Sequence, residues 1–190
     1  VGHDAAGGVG QMQEWRRKKG LMRSGVKFST RFDPLERELI GDLTATVSEA
    51  LIARAQSAPR DEFAEMLGVS TGHTEAPTDP KLARLLPDFE REGDEEFDGD
   101  NGLLRSLHEN DIIKAKLMNL QVINEKLGPT GGVDVTVDEA EAQQFVAALN
   151  DMRLFVSEET GGGEQAEQHR AILMDWLAAC QDSLLQAMLD

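Results

Sequence analysis

Four separated stretches of the sequence carry apolar side chains at helical spacing on short connections, which makes a helical bundle the natural way to bury them together. The first opens at Asp33-Pro34-Leu35-Glu36, where an N-cap aspartate, a proline at the first helical position and a glutamate able to reach back to the cap coincide. Leu35, Leu39, Leu43, Val47 and Leu51, with Ile40 and Ile52 beside them, then form an i, i+4 stripe to about Gln56. The second begins at Asn110 or Asp111 and carries Ile113, Leu117, Leu120, Ile123 and Leu127 before Gly128-Pro129 stops it. The third follows Thr136-Val137-Asp138-Glu139, read as a Thr-x-x-Glu capping box, and sets Ala142, Phe145, Leu149, Met152 and Val156 on one face. Beyond Gly161-Gly162-Gly163, the fourth carries Leu173, Leu177, Cys180, Leu184 and Met188, with Trp176 alongside. The expected fold is mainly α: an orthogonal or up-down bundle of about four long helices.

Shorter pieces fill the intervals. Val26 to Phe32 alternates imperfectly in the manner of a strand, so an N-terminal β-hairpin turning between Gly20 and Gly25 is expected. Short helices are expected over Arg60–Leu67 and from Asp79-Pro80 to Leu86, ended by Pro87. Residues 68–78 and the acidic, glycine-rich run from Glu90 to Gly102 read as loops, and Val133-Asp134-Val135 as a short extended piece. Residues 1–11 are glycine-rich and weakly patterned; they read as a disordered or non-native leader, with residues 12–190 as a single helical domain.

Charge is unevenly spread. Residues 1–31 hold seven basic and two acidic side chains, which leaves the remaining 159 residues at −21 within a total of −16. A body this anionic cannot offer its whole surface to nucleic acid. Every apolar run is broken by charges or amides well short of the roughly 18 residues of a membrane span, so no membrane association is expected. Residues 1–11 lack the basic-then-apolar order of a secretory signal, and Cys180 is the sole cysteine of 190 residues; both features point to the reducing cytoplasm.

No nucleophile elbow, P-loop or dinucleotide fingerprint occurs, and no cofactor is expected. Asp94, Glu96, Asp98 and Gly99 imitate the start of a calcium loop, but its twelfth position is Arg105, a cation where a bidentate glutamate is needed. His3, His73, His108 and His169 are scattered, with no pair at metal-ligand spacing. Cys180 lies on an apolar stripe and reads as a buried, inert thiol. The polar residues Asn119, Asn150, Asp151, Arg153, Asp175 and Gln181 interrupt core-like helices. Since aspartate and arginine cannot stay buried alone, Asp151 or Asp175 is expected to meet Arg153 or Arg105 in a network that sets helix register. The same Asp151, Arg153 and Asp175 group would be the place for catalysis in the competing reading of an enzyme. The basic run Arg16, Arg17, Lys18 and Lys19 can contact phosphate or an acidic partner, or lie against the acidic body of its own chain.

Trp15 with its basic run, Phe32-Asp33-Pro34-Leu35-Glu36, Asp79-Pro80-Lys81-Leu82-Ala83-Arg84-Leu85-Leu86-Pro87, Leu104-Arg105, Ala148-Leu149-Asn150-Asp151-Met152-Arg153-Leu154 and Asp175-Trp176-Leu177 occur in that order. Together they resemble an actinobacterial family long catalogued as a domain of unknown function and associated with the oxidative stress regulator AosR. The resemblance covers roughly residues 12–189. It implies a cytoplasmic, transcription-linked regulator acting through protein partners. The acidic body and the absence of active-site motifs favour a non-enzymatic interaction protein that touches polymerase, a sigma factor or another regulator. Direct DNA binding through the basic segment is the alternative, and self-association stays open. A disulfide switch within the chain needs two cysteines, and this chain has one.

Overall fold

The computed structural model describes residues 12–20, 25–69, 71–91 and 97–190. Among them it shows a mainly α fold with six helices and one three-stranded antiparallel sheet: β1 (Arg16–Lys19), β2 (Val26–Phe32), α1 (Pro34–Gln56), α2 (Glu62–Met66), α3 (Pro80–Leu85), α4 (Phe97–Leu127), β3 (Val133–Asp138), α5 (Glu139–Ser157) and α6 (Gly163–Leu189). The four long helices are α1, α4, α5 and α6, and the hairpin of β1 and β2 forms as expected, closed by Gly20 N–H on the Gly25 carbonyl at 2.9 Å. Residues 1–11, most of the hairpin turn and the start of the calcium-like segment lie outside the described residues.

The hairpin is part of a larger sheet. β3 pairs with β2 along its own whole length, from Lys27 opposite Asp138 to Phe32 opposite Val133, so the strand order is β1-β2-β3. The extended piece seen in the sequence was therefore too short, and the capping box sits two residues further on. Thr136 and Val137 are taken up by pairing with Ser29 and Phe28. Asp138 caps α5 instead, accepting from Glu141 N–H at 2.8 Å while the Glu141 carboxylate accepts from Asp138 N–H at 3.1 Å. The strand thus runs into the helix with no loop between. Phe28, Thr30 and Phe32 of β2 and Val135 and Val137 of β3 are buried, whereas Arg31, Asp134 and Thr136 are exposed.

In α1 the cap forms as read, with Asp33 accepting from Glu36 N–H. The stripe forms only in part, through Ile40, Leu43, Val47 and Leu51. Leu35, Leu39 and Ile52 are exposed, and the buried face is Glu36, Ile40, Leu43, Thr44, Val47 and Leu51. A spacing of four residues overshoots the 3.6 of a helical turn, so a row at i, i+4 drifts around the helix: with Leu43, Val47 and Leu51 on the core, Leu35 and Leu39 at its upstream end turn away from it.

The larger correction concerns α4. It starts at Phe97, so the second half of the supposed acidic loop is helical, and Asn110 and Asp111 lie mid-helix rather than at a cap. Its buried row runs Arg105, Glu109, Ile113, Leu120, Ile123 and Leu127. The helical period continues upstream of Ile113, but two charged residues carry it. A search for apolar periodicity therefore stops too soon.

α5 is the central element, packing on α4, α6 and α3. Its expected face, Ala142, Phe145, Leu149, Met152 and Val156, is buried, joined by Ala148, Asp151 and Phe155. From α6 come Trp176, Leu177, Cys180, Gln181, Leu184 and Ala187. Trp15, preceding β1, stands edge-on to Phe145 and Phe32, with ring centroids at 5.3 and 6.4 Å, and so pins the hairpin to the bundle.

Candidate functional site

Apart from Glu36, the buried charges among the described residues fall into three separate sets, each tied to a structural task. Glu109 of α4 accepts from Arg54 of α1 at 2.7 and 3.1 Å and from Arg105, one turn earlier, at 2.7 Å. Arg105 also donates to the Leu86 carbonyl at 3.1 Å and to Asp88 at 2.9 Å, and stacks over the Phe89 ring. The segment after α3 is thereby fastened to α4, and α4 to α1. Burial pushes the Glu109 carboxyl up, but the two guanidiniums outweigh it and hold the group below its ordinary value. Second, Asp151 of α5 accepts from Lys116 of α4 at 2.8 Å. Here burial outweighs the single ammonium, and the carboxyl is raised. Third, Arg153 of α5 donates to Gln181 of α6 at 2.6 Å.

The expected network is accordingly not one network. Arg153 and Gln181 meet as helix-to-helix partners, but Asp151 pairs with Lys116 and Arg105 with Glu109 and Asp88. Asp175 and Asn150 are exposed and Asn119 half-buried, and Asp151 and Arg153 take different partners, Lys116 and Gln181. Among the described residues there is no grouping of three His, Cys, Asp or Glu that could hold a metal ion. His73 is bound to the Arg54 carbonyl at 2.9 Å and to Ser57 at 3.1 Å, continuing the Arg54 fastening.

Cys180 is buried, with its Sγ 3.2 Å from the Met12 sulfur. Burial, and then the Glu36 carboxylate, push its thiol well above the ordinary value. The charge that matters comes from α1.

The basic run is split by strand geometry. All four side chains of β1 are exposed, but alternation puts Arg16 and Lys18 opposite Ser29 and Lys27. Arg17 instead reaches the Met188 carbonyl near the end of α6. With Arg31, which pairs with Asp134 at 3.0 Å, the outer sheet face is polar throughout.

One apolar surface stands apart from these. α1 and α6 are joined where Trp176 Nε1–H donates to Glu36 at 3.0 Å, and are not otherwise closely packed. The cleft between them, about 590 Å³, is floored by Leu35, Leu39, Ile172, Leu173 and Trp176, with Asp33, His169 and Arg170 at its ends. Leu35, Leu39 and Ile172 are 56%, 40% and 51% exposed, so the floor of the cleft faces solvent.

A family model of a domain of unknown function, DUF2017, matches residues 12–188. The chain belongs to the DUF2017 family. Proteins of Mycobacterium bovis and Mycobacterium tuberculosis named oxidative stress regulator AosR are each 36% identical to it over 155 residues, covering 75% of this chain and 68% of their own. A Mycobacterium leprae relative is 29% identical over 197 residues, covering 94% and 89%. No solved structure gives a significant match.

In this DUF2017 chain the sequence reading overlooked Arg54, Glu109, Lys116 and Glu36 as the partners of its polar residues. One signal was present: Arg105 and Glu109 stand at i, i+4 in register with the Ile113 stripe. The cleft left a subtler trace, the leucine row of α1 drifting off the core. No helix among the described residues of this DUF2017 member is long and apolar enough to cross a membrane.

Proposed function

We propose that this chain is a cytoplasmic regulator of the oxidative stress response that works by binding a protein of the transcription machinery, not by catalysis. The observation that carries the reading is the solvent-facing cleft of Leu35, Leu39, Ile172, Leu173 and Trp176 in a chain akin to proteins named oxidative stress regulators. A regulator of this kind needs a docking surface and no turnover chemistry. Its buried ionisable groups bear on helix register: Arg54 and Arg105 are balanced by Glu109 and Asp88, and Lys116 neutralises Asp151. The experiment is affinity capture of the chain from oxidant-treated and untreated cells, with quantification of polymerase subunits, sigma factors and other regulators. Enrichment of one of these over a capture control supports the reading; repeated recovery of none counts against it.

A second reading, direct DNA binding, is favoured by the exposure of Arg16 and Lys18 beside Lys27 and Arg31 on the sheet. Gel shifts at low salt decide it. Binding that is lost when Arg16, Lys18 and Lys27 become alanine supports direct contact, and no shift even at low salt removes it.

A further inference from the structure

The exposed apolar residues of the cleft share a pattern: each is followed three positions later by an exposed acid. Leu35 precedes Glu38, Leu39 precedes Asp42, and Ile172 precedes Asp175. On a helix such pairs are neighbours, so the acids stand beside the apolar floor on both α1 and α6. Asp175, which the sequence made a candidate for a buried network, is therefore a rim residue. We infer that the α1–α6 cleft receives an amphipathic helix of a protein partner, its apolar face on Leu35, Leu39, Ile172 and Trp176 and its flanks cationic, opposite Glu38, Asp42 and Asp175.

Shape and charge both select this occupant. The cleft lies between two helices and presents side chains rather than free backbone edges, the setting in which a partner helix anchors by residues at i, i+3 or i+4 and i+7. The acids beside the cleft on α1 and α6 oppose a partner with anionic flanks, while the cation in its lining, Arg170, donates to the Gly161 carbonyl; a second copy of this chain would bring its own acids in a molecule already at −16. The same charge favours encounter with a cationic segment before contact is made. Glu36 is not available to such a partner, because its two carboxylate oxygens are held by Trp176 and by the Asp33 N–H. It fixes the spacing of the cleft walls while the exposed acids do the recognising.

The inference rests on the partner-binding reading above and names its surface. The probe is a labelled synthetic helix of roughly 18 residues, about five turns, with a leucine face and lysines elsewhere, titrated by fluorescence anisotropy. A second peptide carries glutamate in place of lysine. The lysine peptide is expected to bind one to one, more weakly as salt rises, and the glutamate peptide not at all. Leu39→Glu with Ile172→Glu should weaken binding by roughly tenfold or more, as loss of central anchors does. These substitutions add negative charge, so mere attraction between an acidic protein and a basic peptide would strengthen instead. Both positions are exposed, and circular dichroism with a thermal melt checks that the fold is kept. Glu38→Lys with Asp42→Lys and Asp175→Lys should lower affinity and flatten its salt dependence. Undiminished binding by the Leu39→Glu, Ile172→Glu variant, or equal binding of the glutamate peptide, overturns the inference. So does a concentration-dependent dimer that Leu39→Glu abolishes, since a second copy would then be the occupant. If that double variant still captures from cells the same transcription protein as the unaltered chain, the cleft is wrong while the partner-binding reading stands. If the peptide results hold but no transcription protein is ever captured, the cleft stands and that reading fails.

Discussion

Trp176 and Glu36, 140 residues apart, share a buried hydrogen bond of 3.0 Å that joins the last helix to the first turn of α1. The other Glu36 oxygen accepts from the Asp33 N–H, so one carboxylate completes a helix cap and a tertiary contact together. Trp176→Phe, which keeps the ring but removes the donor, should cost about 1–3 kcal/mol. Glu36→Ala should cost more, because the Asp33 N–H loses its side-chain acceptor as well, although Asp33 still caps the backbone N–H of residue 36. Urea denaturation of both single variants and the double variant checks the pairing: the losses should be less than additive, and full additivity would mean that the two residues are energetically independent.

Core truncation should be severe in the central helices. Leu149 and Leu177 are fully buried on α5 and α6, so Leu149→Ala and Leu177→Ala should each destabilise by about 2–5 kcal/mol. Losses under about 0.5 kcal/mol at both, the behaviour of surface sites, would contradict the packing described.

Glu109 and Asp151 should respond to pH with opposite signs. The Glu109 carboxyl is lowered on folding, so its contribution to stability is present above its ordinary value of 4.5 and is lost as pH falls below it. Glu109→Ala should cost about 3–5 kcal/mol at neutral pH by taking from Arg54 its ion-pair partner and leaving Arg105 with Asp88 alone, and the deficit should shrink in acid. The Asp151 carboxyl is raised above 3.8, so the folded state favours its protonated form and loses that advantage as pH rises through the raised value. Asp151→Asn should therefore gain stability relative to the natural residue as pH goes from acid to neutral. Denaturant midpoints measured from acid to neutral pH give both trends, and a parallel response of the two variants would refute the assignment.

Cys180 should be slow to react. The thiol is buried and its ionisation is opposed by burial and by Glu36. Native protein should label with a thiol reagent far more slowly than denatured protein, and mild peroxide should give no disulfide-linked dimer on a non-reducing gel. Rapid native labelling together with a covalent dimer would make Cys180 an intermolecular switch and overturn this expectation.

What the chain's linear pattern determined was local. Asp33-Pro34-Leu35-Glu36 specified a capped helix start because its participants lie within one turn of each other. The faces of α5 and α6 were legible because apolar residues at helical spacing have one way to be buried together. The hairpin was legible from alternation between glycines. What only the tertiary structure decided was pairing over distance. β3 became a strand because β2 offered it an edge, and the capping box moved to Asp138 because Thr136 and Val137 were taken into the ladder. α4 extended back to Phe97 along a stripe whose charged members, Arg105 and Glu109, are tolerable in the interior only once Arg54 arrives from α1. Nothing local to Asp151 names Lys116 as its partner, nor does anything near Arg153 name Gln181, since a polar side chain can be satisfied by any complementary group the fold brings near. The cleft has the same origin. Leu35, Leu39 and Ile172 look like core residues in sequence, and only the separation of α1 from α6 beyond the Glu36–Trp176 bond leaves them facing solvent.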